Sequence, residues 1–114
     1  MEIALLARSS SGEGPYSVVF VWEKKRLHVR CDCRAGMFGK WCKHKTAMLA
    51  NDETMLQNPS ELVELRKVND WVQQTTFSDR LQLLHQAENE LGALEKRIKI
   101  IKDELAEALK NGLE

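Results

Sequence analysis

Cys31, Cys33, Cys42 and His44 lie within one short run, CDCRAGMFGKWCKH, which holds all three cysteines of the chain. Thiolates and imidazole are the donors that zinc prefers, and four of them in a tetrahedron make a closed structural site. The spacing is Cys-x-Cys, eight residues, then Cys-x-His. On an extended segment, residues two apart face the same way, so Cys31 and Cys33 can point at one ion from the end of a strand. In an α-helix, residues two apart are separated by about 200° and cannot share an ion. Cys42 is therefore expected just before a helix, with His44 in its first turn. Leu27 and Val29 share the parity of Cys31, which sets the site beside an apolar face. His28 has the opposite parity, which argues against it as the fourth ligand. Gly36 and Gly39 give the intervening segment the freedom to fold back.

Three other uses of these residues explain less. Unligated structural cysteines would rarely gather beside a histidine. A redox Cys-x-Cys pair would form a strained ring and leave Cys42 and His44 without a role. A Cys42/His44 nucleophilic dyad lacks an orienting partner and an oxyanion-hole motif. The His-x-Glu and Pro-Cys-x-x-Cys signature of zinc deaminases is absent, and SGEGPY carries no Lys-Ser/Thr of a phosphate-binding loop. No catalytic constellation is visible, so the chain reads as a non-enzyme.

The elements that must position the ligands follow from local pattern. EIALLAR (2–8) reads as a strand and SSSGEGP (9–15) as a loop. YSVVFVW (16–22) is aromatic and β-branched, EKK (23–25) is a polar turn, and RLHVRC (26–31) alternates, which together predict a β-hairpin. KHKTAMLA (43–50) is helical and stops near Asn51. NPSE (58–61) starts another helix, with Asn58 as cap, Pro59 at the first position and Glu61 reaching back as in a capping box. It runs to about Gln73, with Leu62, Leu65, Val68 and Val72 on one face. After a break at TTFS, residues 79–110 contain no proline. There Leu84, Leu91, Ile98 and Leu105 alternate with Ala87, Leu94, Ile101 and Ala108 in an a/d heptad pattern. A helix of ~32 residues would be ~48 Å long.

The expected fold is therefore α+β: a zinc-stapled finger with an N-terminal strand (1–50), a connector with an amphipathic helix (51–77), and a long coiled-coil-like helix (78–114). The chain of 114 residues has zero formal net charge and only 6% aromatic residues, so its core is modest and a metal staple is useful. Charge is divided between the halves. Residues 1–50 hold nine Lys/Arg against four Asp/Glu, and residues 51–114 hold eight against thirteen. No stretch reaches the ~18 apolar residues of a membrane span, and IALLA is too short for a secretion signal and lacks a basic segment before it. A reducing interior compartment, cytoplasmic or nuclear, is the expectation.

Cys31, Cys33, Cys42 and His44, entered from a hairpin and followed by a helix with the small apolar run Ala47, Met48 and Leu49, resemble the SWIM-type zinc finger. The resemblance covers about residues 16–50. It implies a structural Zn²⁺ and either DNA binding or protein–protein interaction. The family includes helicase-like ATPases, transposases, ubiquitin-pathway proteins and recombination accessory factors, and no ATPase or transposase signature accompanies the finger in this sequence.

Arg30, Arg34, Lys40, Lys43 and Lys45 surround the ligands, with Lys24, Lys25 and Arg26 at the hairpin turn. Such cations hold phosphates, and Trp41 with Phe38 and Met37 supplies surfaces on which bases stack. The alternative is that the cations merely balance a zinc–thiolate centre and that Phe38 or Trp41 plugs the core. The expected function is a nucleic-acid-binding accessory protein, with DNA bound at little sequence preference. The competing one is a protein-interaction adaptor with purely structural zinc. Leu84, Leu91, Leu94, Ile98, Ile101 and Leu105 form the face expected to self-associate or recruit a partner, unless residues 59–73 cover it within the chain. Charge leaves the pairing open. A parallel dimer sets Glu90 against Glu95 and Arg97 against Lys102. An antiparallel pair centred near Glu95 joins Glu88 to Lys102 but sets Glu90 against Glu104.

Overall fold

The computed structural model describes residues 1–9 and 12–113. The loop expected over 9–15 thus lies partly outside the described residues. The chain divides into two compact units, Met1–Ser78 and Asp79–Glu114.

The first unit is built on a three-stranded antiparallel sheet, β1 (Glu2–Ala7), β2 (Tyr16–Glu23) and β3 (Arg26–Cys31), in that order. Alternation decides its faces. Leu5, Ala7, Val18, Phe20 and Cys31 are buried on one side, with Ile3, Leu27 and Val29 packed at their edge. The register pairs Leu5 with Val18 and Val18 with Cys31, so the first cysteine leaves the sheet directly over the core. Lys24 and Lys25 make the hairpin turn, both at positive φ (51° and 60°). Two-residue hairpin loops of type I′ take positive φ at both positions, because that twist matches that of the strands.

Four helices follow: α1 (Arg34–Met37), α2 (Lys43–Leu49), α3 (Leu62–Val72) and α4 (Phe77–Asn111). The expected α+β class and the long last helix are present. α1, however, occupies what the sequence suggested as open loop. α2 is closed just past its Ala50 cap by Asn51, whose positive φ of 60° lets its N–H donate to the Met48 carbonyl while Asp52 N–H donates to Ala47. This pair of bonds is a Schellman stop.

The expected capping box before α3 does not form. Pro59–Glu61 is a tight 3₁₀ turn leading into the helix. Glu61 accepts instead from the Asn58 side-chain amide at 3.0 Å and from Leu6 N–H at 3.3 Å. The carboxylate thereby ties the helix entry to β1. Backbone bonds reinforce the join, with Arg8 N–H donating to Met55 and Gln57 N–H to Leu6. Leu65, Val68, Trp71 and Val72 of α3 and Met48 of α2 complete the core, and Trp22 stacks on Trp71 at 6.4 Å between ring centroids.

The second unit comprises residues 79–114, of which 79–111 belong to α4. No residue of α4 is buried, and the helix ends at Gly112, which takes a φ of 99°. No helix among the described residues is long and apolar enough to cross a membrane.

Candidate metal centre

Three elements converge on the cluster. Cys31 closes β3, Cys33 caps α1, Cys42 caps α2, and His44 lies in the first turn of α2. The corner between the first two is fixed by Asp32. Its carboxylate accepts from Ser17 N–H at 2.8 Å, and its own N–H donates to the Ser17 carbonyl at 3.1 Å.

α1 then turns the chain back. The Cys33 sulfur accepts from Gly36 N–H at 3.3 Å, a side-chain cap made by sulfur in place of the usual oxygen. Gly36 is needed for closeness rather than freedom, because a Cβ there would collide with the carbonyl oxygen and Cβ of Cys31. Gly39 does supply freedom. Its φ of 65° ends α1, with its N–H donating to Gly36 and Lys40 N–H to Ala35. In α2 the Thr46 hydroxyl donates back to the Cys42 carbonyl at 3.1 Å and fixes the first turn around His44.

The four donor atoms lie within 4.8 Å of one another, and all four residues are 3–6% exposed. Cys31 Sγ is 3.8 Å from His44 Nδ1, Cys42 Sγ is 3.6 Å from the same nitrogen, and Cys33 Sγ is 3.3 Å from Cys42 Sγ. Tetrahedral zinc bonds of ~2.3 Å to sulfur and ~2.0 Å to nitrogen imply edges of about 3.8 and 3.5 Å. The cluster therefore fits one structural Zn²⁺, held by three thiolates and Nδ1 of His44. The three cysteines are free thiols rather than disulfides.

Electrostatics fits the donor set. Burial lowers the tendency of His44 to protonate, helped by the Lys43 charge, so the imidazole is held neutral and able to donate a lone pair. Burial pushes the Cys31 thiol well above its ordinary value. Burial acts on Cys33 too, but hydrogen bonds from Gly36 N–H and from the neighbouring thiols outweigh it and favour the thiolate. Cys33 is thus the more readily deprotonated of the two, and a metal cation displaces the proton of Cys31 against the cost of burial. His44 Nε2 is buried with no hydrogen-bond partner, and the ring packs obliquely on Tyr16 at 5.0 Å.

Around the centre the surface is apolar and basic. Met37, Phe38 and Trp41 are 74%, 71% and 64% exposed. The expectation that Phe38 or Trp41 plugs the core is overturned, since Val18, Phe20 and Met48 already fill it. Trp41, Lys43 and Tyr16 line an open pocket of about 400 Å³ whose wall includes Cys33, Cys42 and His44. Arg34, Lys40 and Lys43 are exposed and Lys45 is half-buried. Arg30 is exposed and lies 3.9 Å from Glu2. The heptad residues named from the sequence, Leu91, Leu94, Ile98, Ile101 and Leu105, are all more than half exposed, and Leu84 is half-buried.

The outward placement of Phe38 and Trp41 is one of the two readings the sequence offers, and composition alone does not select it. The signal that could have found it is the shortness of the segment between two pinned ligand pairs. Scans against protein-family models, curated proteins and solved structures return no match to this chain, so the assignment of a zinc-binding cluster rests on its donor geometry.

Proposed function

We propose that this chain is a non-enzymatic zinc-binding accessory protein of an interior, reducing compartment. In this reading its finger is of SWIM type and grips nucleic acid, DNA with little sequence preference. Its C-terminal helix engages a partner helix. The observation that carries the reading is the exposure of Met37, Phe38 and Trp41 on a segment pinned at both ends by the metal ligands, with Arg34, Lys40 and Lys43 exposed along the same stretch. An apolar ring held rigidly among cations is the arrangement that stacks on bases while phosphates are neutralised. The sequence offers no identifiable base-reading helix, which is why little sequence preference is proposed. A zinc held by four protein ligands has no open position for catalysis.

The test is a titration of zinc-loaded protein against labelled single- and double-stranded DNA at low and moderate salt, beside Lys40→Glu/Lys43→Glu with its zinc content checked. Binding should weaken with salt, and the variant should lose on the order of tenfold or more of it, with a shallower salt slope. The same exposed trio suits a second reading, a protein-docking adaptor, since rigid apolar patches also mark protein contacts. DNA binding absent even at low salt would replace the first reading with the second.

A further inference from the structure

We propose that α4 pairs antiparallel with α4 of a second copy of this chain, in a register centred between Lys99 and Ile100. This rests on the reading above that the C-terminal helix takes a partner, and it names that partner and its alignment. α4 runs without interruption from Phe77 to Asn111 with no buried residue. Its apolar stripe is open from Leu91 onwards, where Leu91, Leu94, Ile98, Ile101 and Leu105 are each 51–57% exposed. Leu81 and Leu84, nearer its start, are half-buried. The surface that needs covering is therefore the C-terminal two-thirds of the helix.

Charge selects the occupant. In an antiparallel pair each a residue faces a d residue of the other helix, so the flanking g positions meet g and the e positions meet e. With a at Leu91, Ile98 and Leu105, the charged g residues are Glu90, Arg97 and Glu104, and the charged e residues are Glu88, Glu95 and Lys102. Centred between Lys99 and Ile100, Arg97 faces the partner's Glu104 and Glu95 faces the partner's Lys102. Symmetry repeats both pairs. Glu88 and Glu90 fall beside the partner's Leu109 and Asn111, which carry no charge. The core layers become Ile98 on the partner's Ile101, Leu94 on the partner's Leu105, and Leu91 on the partner's Ala108. The overlap is ~24 residues, or ~36 Å.

The neighbouring alignments fail on the same residues. A centre near Glu95 sets Glu90 against the partner's Glu104 and Arg97 against its own counterpart. Moving the centre the same distance further towards the N-terminus sets Glu88 against the partner's Glu95. A parallel pair sets Glu90 against the partner's Glu95 and Arg97 against the partner's Lys102. Of these alignments, the proposed one alone sets no like charges against each other, and it does so over the open part of the stripe.

The experiment is sedimentation equilibrium of the full-length, zinc-loaded chain as wild type, Arg97→Glu, Glu104→Arg and the double variant. The wild type should dimerise. Each single variant should weaken the dimer on the order of tenfold, because each puts like charges together twice, and the double variant should restore it. Either single variant dimerising as well as or better than wild type overturns the register. Arg97→Glu relieves the parallel alignment, and Glu104→Arg relieves the one centred near Glu95. A wild type that stays monomeric throughout overturns self-pairing while leaving intact the reading that α4 takes another protein's helix, which a pull-down with α4 as bait would then address.

Discussion

The finger and the long helix solve the same problem in opposite ways. Both are rich in aliphatic residues. Residues 1–78 fold theirs inward around Phe20, Leu65, Val68 and Met48, while residues 79–113 leave Leu91, Leu94, Ile98 and Ile101 open to solvent. The finger is held by contacts distant in sequence, such as Glu61 on Leu6 and His44 beside Cys31. The helix is held by bonds between residues four apart, which need no core, though an isolated helix in water is marginal. The difference teaches where each unit's stability is to be sought: in a bound metal for one and, on the proposal above, in a second helix surface for the other. It also predicts that each can be broken without breaking the other.

The largest break is Cys42→Ser. Structural zinc contributes on the order of 10 kcal/mol or more of folding free energy. The variant should lose its zinc and the cooperative unfolding of the finger, followed by tryptophan fluorescence from Trp22 and Trp71. Far-ultraviolet circular dichroism should retain much of the helix signal that α4 supplies. Stoichiometric zinc in this variant would remove Cys42 from the ligand set. Collapse of the helix signal together with the finger would show that the two units do not stand apart.

Gly36→Ala makes a subtler break in the same unit. The added methyl meets the Cys31 backbone, which cannot move without displacing a ligand. A loss of about 3 kcal/mol is expected from overpacking, along with weaker zinc retention in a chelator competition. Unchanged retention would mean that α1 can shift without disturbing Cys31.

Ile98→Asp tests the other unit. If α4 pairs as proposed, a carboxylate at this stripe position should weaken association by about 2 kcal/mol, roughly thirtyfold, and lower helix content as the pair separates. Zinc content and finger stability should stay as they were. Unchanged association and unchanged helix content would together remove the heptad face as an interface.

What could be read beforehand follows the same division. The ligand set was legible because parity on a strand and angular spacing on a helix are local rules, and Cys31, Cys33, Cys42 and His44 obey both. The hairpin and both long helices were legible for the same reason. What escaped depends on partners far along the chain. Glu61 fits a capping box by spacing, yet its carboxylate goes to Leu6, fifty-five residues away. α1 is four residues long and contains a glycine, so propensity disfavours it. It forms because the Cys33 sulfur caps it where the metal pins the chain. The choice between an outward and a buried Phe38 and Trp41, left open by the sequence, likewise depends on a core filled by residues from β2 and α2.

The smallest expected effect bears on the finger's role rather than its survival. Lys24 and Lys25 both sit at positive φ, where a side chain with a Cβ is disfavoured and Asn-Gly is preferred. Replacing the pair by Asn-Gly should stabilise the hairpin by about 1 kcal/mol, read as a rise in thermal midpoint with zinc bound. A sequence optimised for stability alone would not keep two lysines there. Two lysines there add positive charge at the far end of the hairpin from Cys31, and whether that charge meets DNA is open to the same test as Lys40 and Lys43. Greater stability with weaker, less salt-dependent DNA binding would assign the turn to the nucleic-acid face. Greater stability with unchanged binding would confine that face to the segment between the ligand pairs.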